Sequence, residues 1–158
     1  QQQSLCDVAV TSMRVEVDQS GKVEQLDGDT VLAFSNSEQY AVLLPKSLKR
    51  RIFLHYRSRT KQFRYKLFAI CLYYCLKDYL QHLTLVMIDC EYTGKEQLIK
   101  SFLLGFIRTS WKECDGKLIR FGLIGKQSNA HAVAIDVFRG NRKPNKILCI
   151  CLADFVVF

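Results

Sequence analysis

Proline and glycine are scarce in this chain, two and eight among 158 residues. With 49% of residues apolar and 24% charged, the composition speaks against wholesale disorder and for one domain with a real core. No apolar stretch reaches membrane-spanning length without a charge, so no membrane span is expected. Gln1-Gln2-Gln3-Ser4 offers neither the basic nor the apolar region of a secretory signal. The seven cysteines form no paired C-x-x-C knuckle, which removes the usual structural zinc site. Cys71 and Cys75 stand four apart in an apolar, helix-like run and read as small core residues. An odd cysteine count and no leader point to a reducing compartment, so a soluble, cytoplasmic (intracellular) protein is the expectation. There is no internal repeat and no clear linker: residues 1–158 read as a single domain, with a core over about 13–140 and an apolar C-terminal segment over 146–158.

What is present in excess is positive charge, a formal +8. It suits a polyanion partner, either nucleic acid or an acidic membrane surface. Acids are absent between Lys46 and Lys66. Lys46, Lys49, Arg50, Arg51, Arg57, Arg59, Lys61 and Arg64 are the expected phosphate contacts there, with Lys66 closing the run. Phe53, His55, Tyr56, Phe63 and Tyr65 are interleaved with them. Basic groups release counterions from phosphates and aromatics stack on unpaired bases. The same pattern also fits a solvated helix face whose aromatics pack inward.

Hydrophobic periodicity gives the elements. Alternation over Met13–Asp18 predicts a strand closed by Asp18, followed by the turn Gln19-Ser20-Gly21-Lys22. Asp27-Gly28 precedes a second strand over Thr30–Phe34, and a third over Tyr40–Leu44 ends at Pro45. A long helix is expected over Lys61–Leu80. The continuous apolar run Leu83–Ile88, ending at Asp89, reads as a buried central strand. A helix over Glu96–Trp111, a strand over Leu118–Ile124 and a helix from Ser128 to about Phe138, stopped by Gly140, complete the pattern. Lys146–Phe158 is a last strand or a hydrophobic tail. Gly122-Leu123-Ile124-Gly125-Lys126 lacks the spacing and the following Ser or Thr of a phosphate loop. Strands first, then alternating helices and strands, imply an α/β fold with a mixed sheet and helices on its faces.

The acids gather at predicted strand ends, where open α/β sheets place their sites. If the first and fourth strands are parallel neighbours, Asp18 and Asp89 lie side by side, and a divalent cation relieves their repulsion. Asp18 fits an ordinary turn aspartate as well as a ligand. Glu91 follows Asp89 by two residues and fits a ligand or a solvated loop acid. Asp136 and His131 share the last helix but stand more than one turn apart.

The order β-β-β-α-β-α-β-α, with Asp18 in Val-Asp-Gln-Ser-Gly and Asp89 in Met-Ile-Asp-Cys-Glu, resembles the ribonuclease H-like superfamily over about Met13–Gly140. In that fold three antiparallel strands precede a helix, and further parallel strands alternate with helices. The resemblance implies metal ligands at Asp18, Asp89 and Asp136, with Glu91 and His131 completing the catalytic set. It implies Mg²⁺ or Mn²⁺ as cofactor and hydrolysis of nucleic-acid phosphodiesters. Many members carry a Glu on the first helix; here that stretch has only Asp78, near its far end, so either Glu91 supplies the missing ligand or the site is degenerate and only binds. Two other functions fit the same residues. One is a nucleic-acid-binding module of the same fold that does not cut. The other is an interaction subunit that meets a second copy or another protein through apolar residues 147–158.

Overall fold

A computed structural model describes residues 12–150 apart from 37, 57 and 59–61. Six strands form one mixed sheet: β1 (Met13–Ser20), β2 (Thr30–Ser35), β3 (Gln39–Leu44), β4 (Leu83–Asp89), β5 (Ile119–Gly122) and β6 (Lys146–Ile147). Their spatial order is β5-β4-β1-β2-β3-β6. The first three pair antiparallel as a meander. β4 joins β1 in parallel, β5 joins β4 in parallel, and the short β6 joins β3 in parallel. The architecture is therefore α/β with a mixed sheet, as the element pattern implied.

Among the described residues four α-helices accompany it: α1 (Lys46–Tyr56), α2 (Phe63–Leu76), α3 (Glu96–Ser110) and α4 (Asn129–Phe138). The main core lies where α2 and α3 cover one face of the sheet; Val15, Val17, Leu32, Phe34, Val86 and Ile88 point into it. The other face carries a smaller core, in which Val133, Ala134 and Val137 of α4 meet Val31, Ala33 and Ala41. β2 lies beneath helices on both sides and is buried at all six positions, which its composition, Thr-Val-Leu-Ala-Phe-Ser, permits.

Several boundaries differ from expectation. The first strand does not end at Asp18 but runs on to Ser20, and the turn falls at Gly21, whose φ is +73°. A side chain there meets two obstacles: a Cβ would lie 2.3 Å from the Asp29 carbonyl oxygen and 2.6 Å from the Phe138 ring. Gly21→Ala is expected to cost about 3 kcal/mol, from left-handed strain plus overpacking, as read by urea denaturation.

The basic stretch holds a helix of its own, α1. The carboxylate of Asp29 accepts from the Lys46 amide at 2.8 Å, and Pro45 supplies the first helical carbonyl, to Lys49 N at 2.9 Å. Its inward face is Leu48, Lys49, Ile52, Phe53 and Tyr56, a stripe interrupted by a lysine and therefore easily missed as apolar periodicity. The long helix stops at Leu76 rather than Leu80, and a 3₁₀ turn at Leu80–His82 leads into β4. β5 is shorter than Leu118–Ile124: a 3₁₀ turn over Gly116–Leu118 precedes it, capped by Asp115 Oδ1 accepting from Lys117 N at 2.9 Å. Beyond Gly122 the chain leaves the sheet, and Leu123 is 93% exposed.

β4 is central in the sheet but buried on one face only. Leu83, Val86 and Ile88 are buried, whereas Thr84 is exposed and Leu85 and Met87 are half-buried. The reason is the placement of α4, which packs over β1, β2 and β3 and leaves β4 and β5 bare on that side. α4 itself matches its sequence signals, with Ser128 Oγ accepting from Ala130 N at 3.2 Å and Gly140 at φ +78° past its end. At the C-terminal segment, Leu148 and Ile150 are buried in the main core and Ile147 is exposed. Cys149 is exposed, and residues 151–158 of the expected docking segment lie outside the described residues. Among the described residues, no helix is long and apolar enough to cross a membrane.

Candidate metal centre

β1 and β4 run in parallel register, with Val17 opposite Ile88. Asp18 therefore lies beside Asp89, on the face that also carries Ala33 and α4. Glu91 lies two residues beyond Asp89, where the chain turns tightly, its amide donating to the Asp89 carbonyl at 2.9 Å. Carboxylate oxygens of Asp18, Asp89 and Glu91 all lie within 4.8 Å of one another. Three of the acids expected at this edge meet because two parallel strand ends and the turn after β4 bring them together.

Backbone and side-chain donors hold the acids in place. Asp18 is 4% exposed; its Oδ1 accepts from the Gln19 amide at 2.8 Å. Its Oδ2 lies 2.6 Å from Nδ1 of His131, which reaches down from the first turn of α4. With the proton on Nδ1 the imidazole donates to Asp18, and its ring stays 25% exposed. Asp89 Oδ1 accepts from the Ile124 amide at 2.8 Å. That amide belongs to the Gly-rich loop after β5. There the loop orients a carboxylate.

The charges strain one another. Burial pushes the Asp18 carboxyl above its ordinary range, aided by the nearby Asp89 and partly opposed by His131 and the Gln19 amide. Burial, then the neighbouring Asp89 and Asp18, then a hydrogen bond with Asp89 push Glu91 up to about 7; Lys22 opposes this. A proton is thus retained where several carboxylates share one half-buried site. The set of oxygen donors and the unrelieved negative charge fit a hard divalent cation such as Mg²⁺ or Mn²⁺.

Asp136, expected as a third ligand, is not brought into this cluster. It lies five residues beyond His131, about 140° further round the helix, and its side chain is exposed. Helical phase lets only one of the two point at Asp18, and it is His131. Glu91 takes the third place. Lys22, Gln19 N and Ile124 N were not foreseen. Backbone amides leave no mark in a sequence, and Lys22 reads there as a turn residue.

The basic stretch also needs correction. Lys49 is fully buried rather than phosphate-facing; its Nζ donates to Thr30 Oγ1 at 2.9 Å and to the Lys22 carbonyl at 3.3 Å. Its aliphatic stem makes it an inward residue of α1, and burial lowers its pKa to about 8. Lys46, Arg50, Arg51 and Arg64 are exposed. Arg50 Nε donates to the Leu26 carbonyl at 2.8 Å and Arg64 to the Tyr65 hydroxyl at 2.7 Å. Arg57, Arg59 and Lys61 lie outside the described residues. The aromatics are largely spent inward: Phe63 packs on Phe53 and Tyr56, and Tyr65 packs on Tyr92. Lys49→Met is expected to leave oligonucleotide affinity unchanged and stability at pH 7 equal to wild type or higher by about 1 kcal/mol, since it removes a buried charge at similar volume. Lys49→Ala, which opens a cavity, is expected to cost about 3 kcal/mol. Thermal melts and oligonucleotide titrations of both variants check this.

No protein-family model, no curated protein and no solved structure matches this chain, so the site stands on its own geometry.

Proposed function

We propose that the protein is a divalent-metal-dependent nuclease of ribonuclease H-like fold that hydrolyses nucleic-acid phosphodiesters. The observation that carries this reading is the convergence of Asp18, Asp89 and Glu91 within 4.8 Å, with His131 bonded to Asp18. The antiparallel β1-β2-β3 meander, with β4 and β5 added in parallel beside β1, supports the fold assignment.

Asp18, Asp89 and Glu91 are the residues that would hold the ion. A bound Mg²⁺ or Mn²⁺ supplies Lewis acidity, which acidifies water and offsets charge on the leaving oxygen. His131 orients the Asp18 carboxylate through its Nδ1 contact, and its ring stays partly exposed. The overall charge of +8 draws a polyanionic substrate toward the molecule.

One observation favours binding without cutting: α2, Phe63–Leu76, contains no carboxylate to join the cluster. The two readings separate on labelled single-stranded, duplex and RNA–DNA hybrid substrates with Mg²⁺ or Mn²⁺. The nuclease reading expects metal-dependent cutting that stops in Asp89→Asn. Retained, salt-sensitive binding with no cutting by either protein supports the binding module.

A further inference from the structure

The side of the sheet that α4 leaves bare is continuous with the carboxylates. Asp18, Glu16 and Arg14 of β1 share that face. Beside them stand Asp89, Met87 and Leu85 of β4, and Arg120 of β5 lies opposite Met87. Two adjoining grooves of about 640 and 510 Å³ run along it, and both are lined by Arg14 and Leu85. From β1 to β5 the floor is two strand spacings across, roughly 10 Å.

From these features we infer that this bare face is the bed for a single nucleic-acid strand leading to the carboxylates. The inference rests on the nuclease reading only for what happens at the strand's end. Arg14 and Arg120 are exposed on the floor, and among the described residues neither has a carboxylate within ion-pair distance. The acids nearby are partly engaged. Glu16 accepts from the Ser128 hydroxyl at 2.7 Å and Asp115 from the Lys117 amide at 2.9 Å, while Glu113 lines the larger groove. These acids keep their charge, so the lining is mixed; the two guanidinium groups that no carboxylate meets are what complements phosphates.

Three further features suit a strand with unpaired bases. Leu85 and Met87 are half-buried apolar side chains between the two arginines. Trp111 lines the larger groove, half-buried against the main core, and its accessible part offers a stacking surface. Ser35, 7% exposed, lines the other groove, and its Oγ has no hydrogen-bond partner. A buried hydroxyl left unsatisfied is costly unless a ligand or water meets it. Duplex recognition gains nothing from an aromatic and apolar floor, because paired bases do not present their faces.

Trp111 is the single tryptophan of the chain, so its fluorescence reports the groove directly. The experiment titrates the full chain in EDTA with a twelve-nucleotide single strand and with the matching duplex. The single strand is expected to quench Trp111 and the duplex to bind more weakly. Arg14→Ala with Arg120→Ala is expected to lower single-strand affinity about tenfold or more and to flatten the salt dependence by about 1.4 log units per log unit of salt. Arg139→Ala with Lys143→Ala removes the same charge from exposed positions beyond the groove and is expected to change affinity little. Cleavage that persists while both double variants bind alike overturns the bed and leaves the nuclease standing. Arginine-dependent quenching without any cleavage leaves the bed standing and removes the nuclease. A concentration-dependent dimer with no quenching assigns the face to a second copy and overturns the proposal.

Discussion

Asp89→Asn is expected to abolish metal-dependent cleavage, with a fall of at least about 10³-fold, roughly 4 kcal/mol in transition-state stabilisation. The substitution keeps the shape of the side chain, and its oxygen can still accept from the Ile124 amide. What changes is the charge beside Asp18 and Glu91. Two effects of opposite sign follow. In EDTA the variant is expected to melt a few degrees above wild type, because one of three crowded carboxylates is gone. With Mg²⁺ or Mn²⁺ the wild type is expected to gain stability and the variant little, because only the wild type retains the full donor set. Lower stability in EDTA would mean that Asp89 is a structural anchor rather than a strained ligand. Calorimetric or fluorescence melts with and without metal read this independently of activity.

The second large effect concerns pH in the absence of metal. The folded chain holds Glu91 at about 7, against an ordinary value of 4.5, and Asp18 is shifted upward too. A carboxyl with a raised folded-state pKa favours the folded state while protonated. That contribution is complete below about 4.5 and is lost as pH rises through 7. Metal-free protein is therefore expected to lose about 2 kcal/mol across this window relative to Glu91→Gln, which keeps a neutral hydrogen-bonding side chain at all pH values. A saturating divalent ion reverses the trend, since it binds the deprotonated carboxylates and releases the proton. Urea titrations at pH 5 and pH 8 on both proteins, in EDTA and in Mg²⁺, measure the difference. Parallel pH profiles for wild type and Glu91→Gln in EDTA would show that Glu91 ionises normally and that the cluster is not strained.

The strands were legible because alternation in β1 and the apolar runs of β2 and β4 are strong local signals, and Pro45, Gly21 and Gly140 mark turns with little ambiguity. The pairing of Asp18 with Asp89 followed once β1 and β4 were taken as parallel neighbours, but that adjacency depends on contacts between residues about seventy apart. Lys49 and Asp136 were misplaced for local geometric reasons. A lysine stem is apolar enough to be turned inward on α1 when Thr30 and the Lys22 carbonyl receive its ammonium. Asp136 and His131 are close in sequence yet point apart, because five residues is not a whole number of helical turns. α1 itself escaped notice because the positive charges mask its short apolar stripe. The bare face of β4 and β5 could not be read at all. Leu85 and Met87 look like core residues in a continuous apolar run, and only the position of α4 decides that one side of the strand is left open.

The most direct test of the central claim is Mn²⁺ binding at pH 7.5, followed by electron paramagnetic resonance on wild type, Asp18→Asn and Asp89→Asn. The carboxylate centre predicts saturable binding by the wild type, at least about tenfold tighter than by either variant, with all three proteins folded by circular dichroism. Equal binding by the three proteins, or none by the wild type, would contradict the assignment of Asp18, Asp89 and Glu91 as a metal centre.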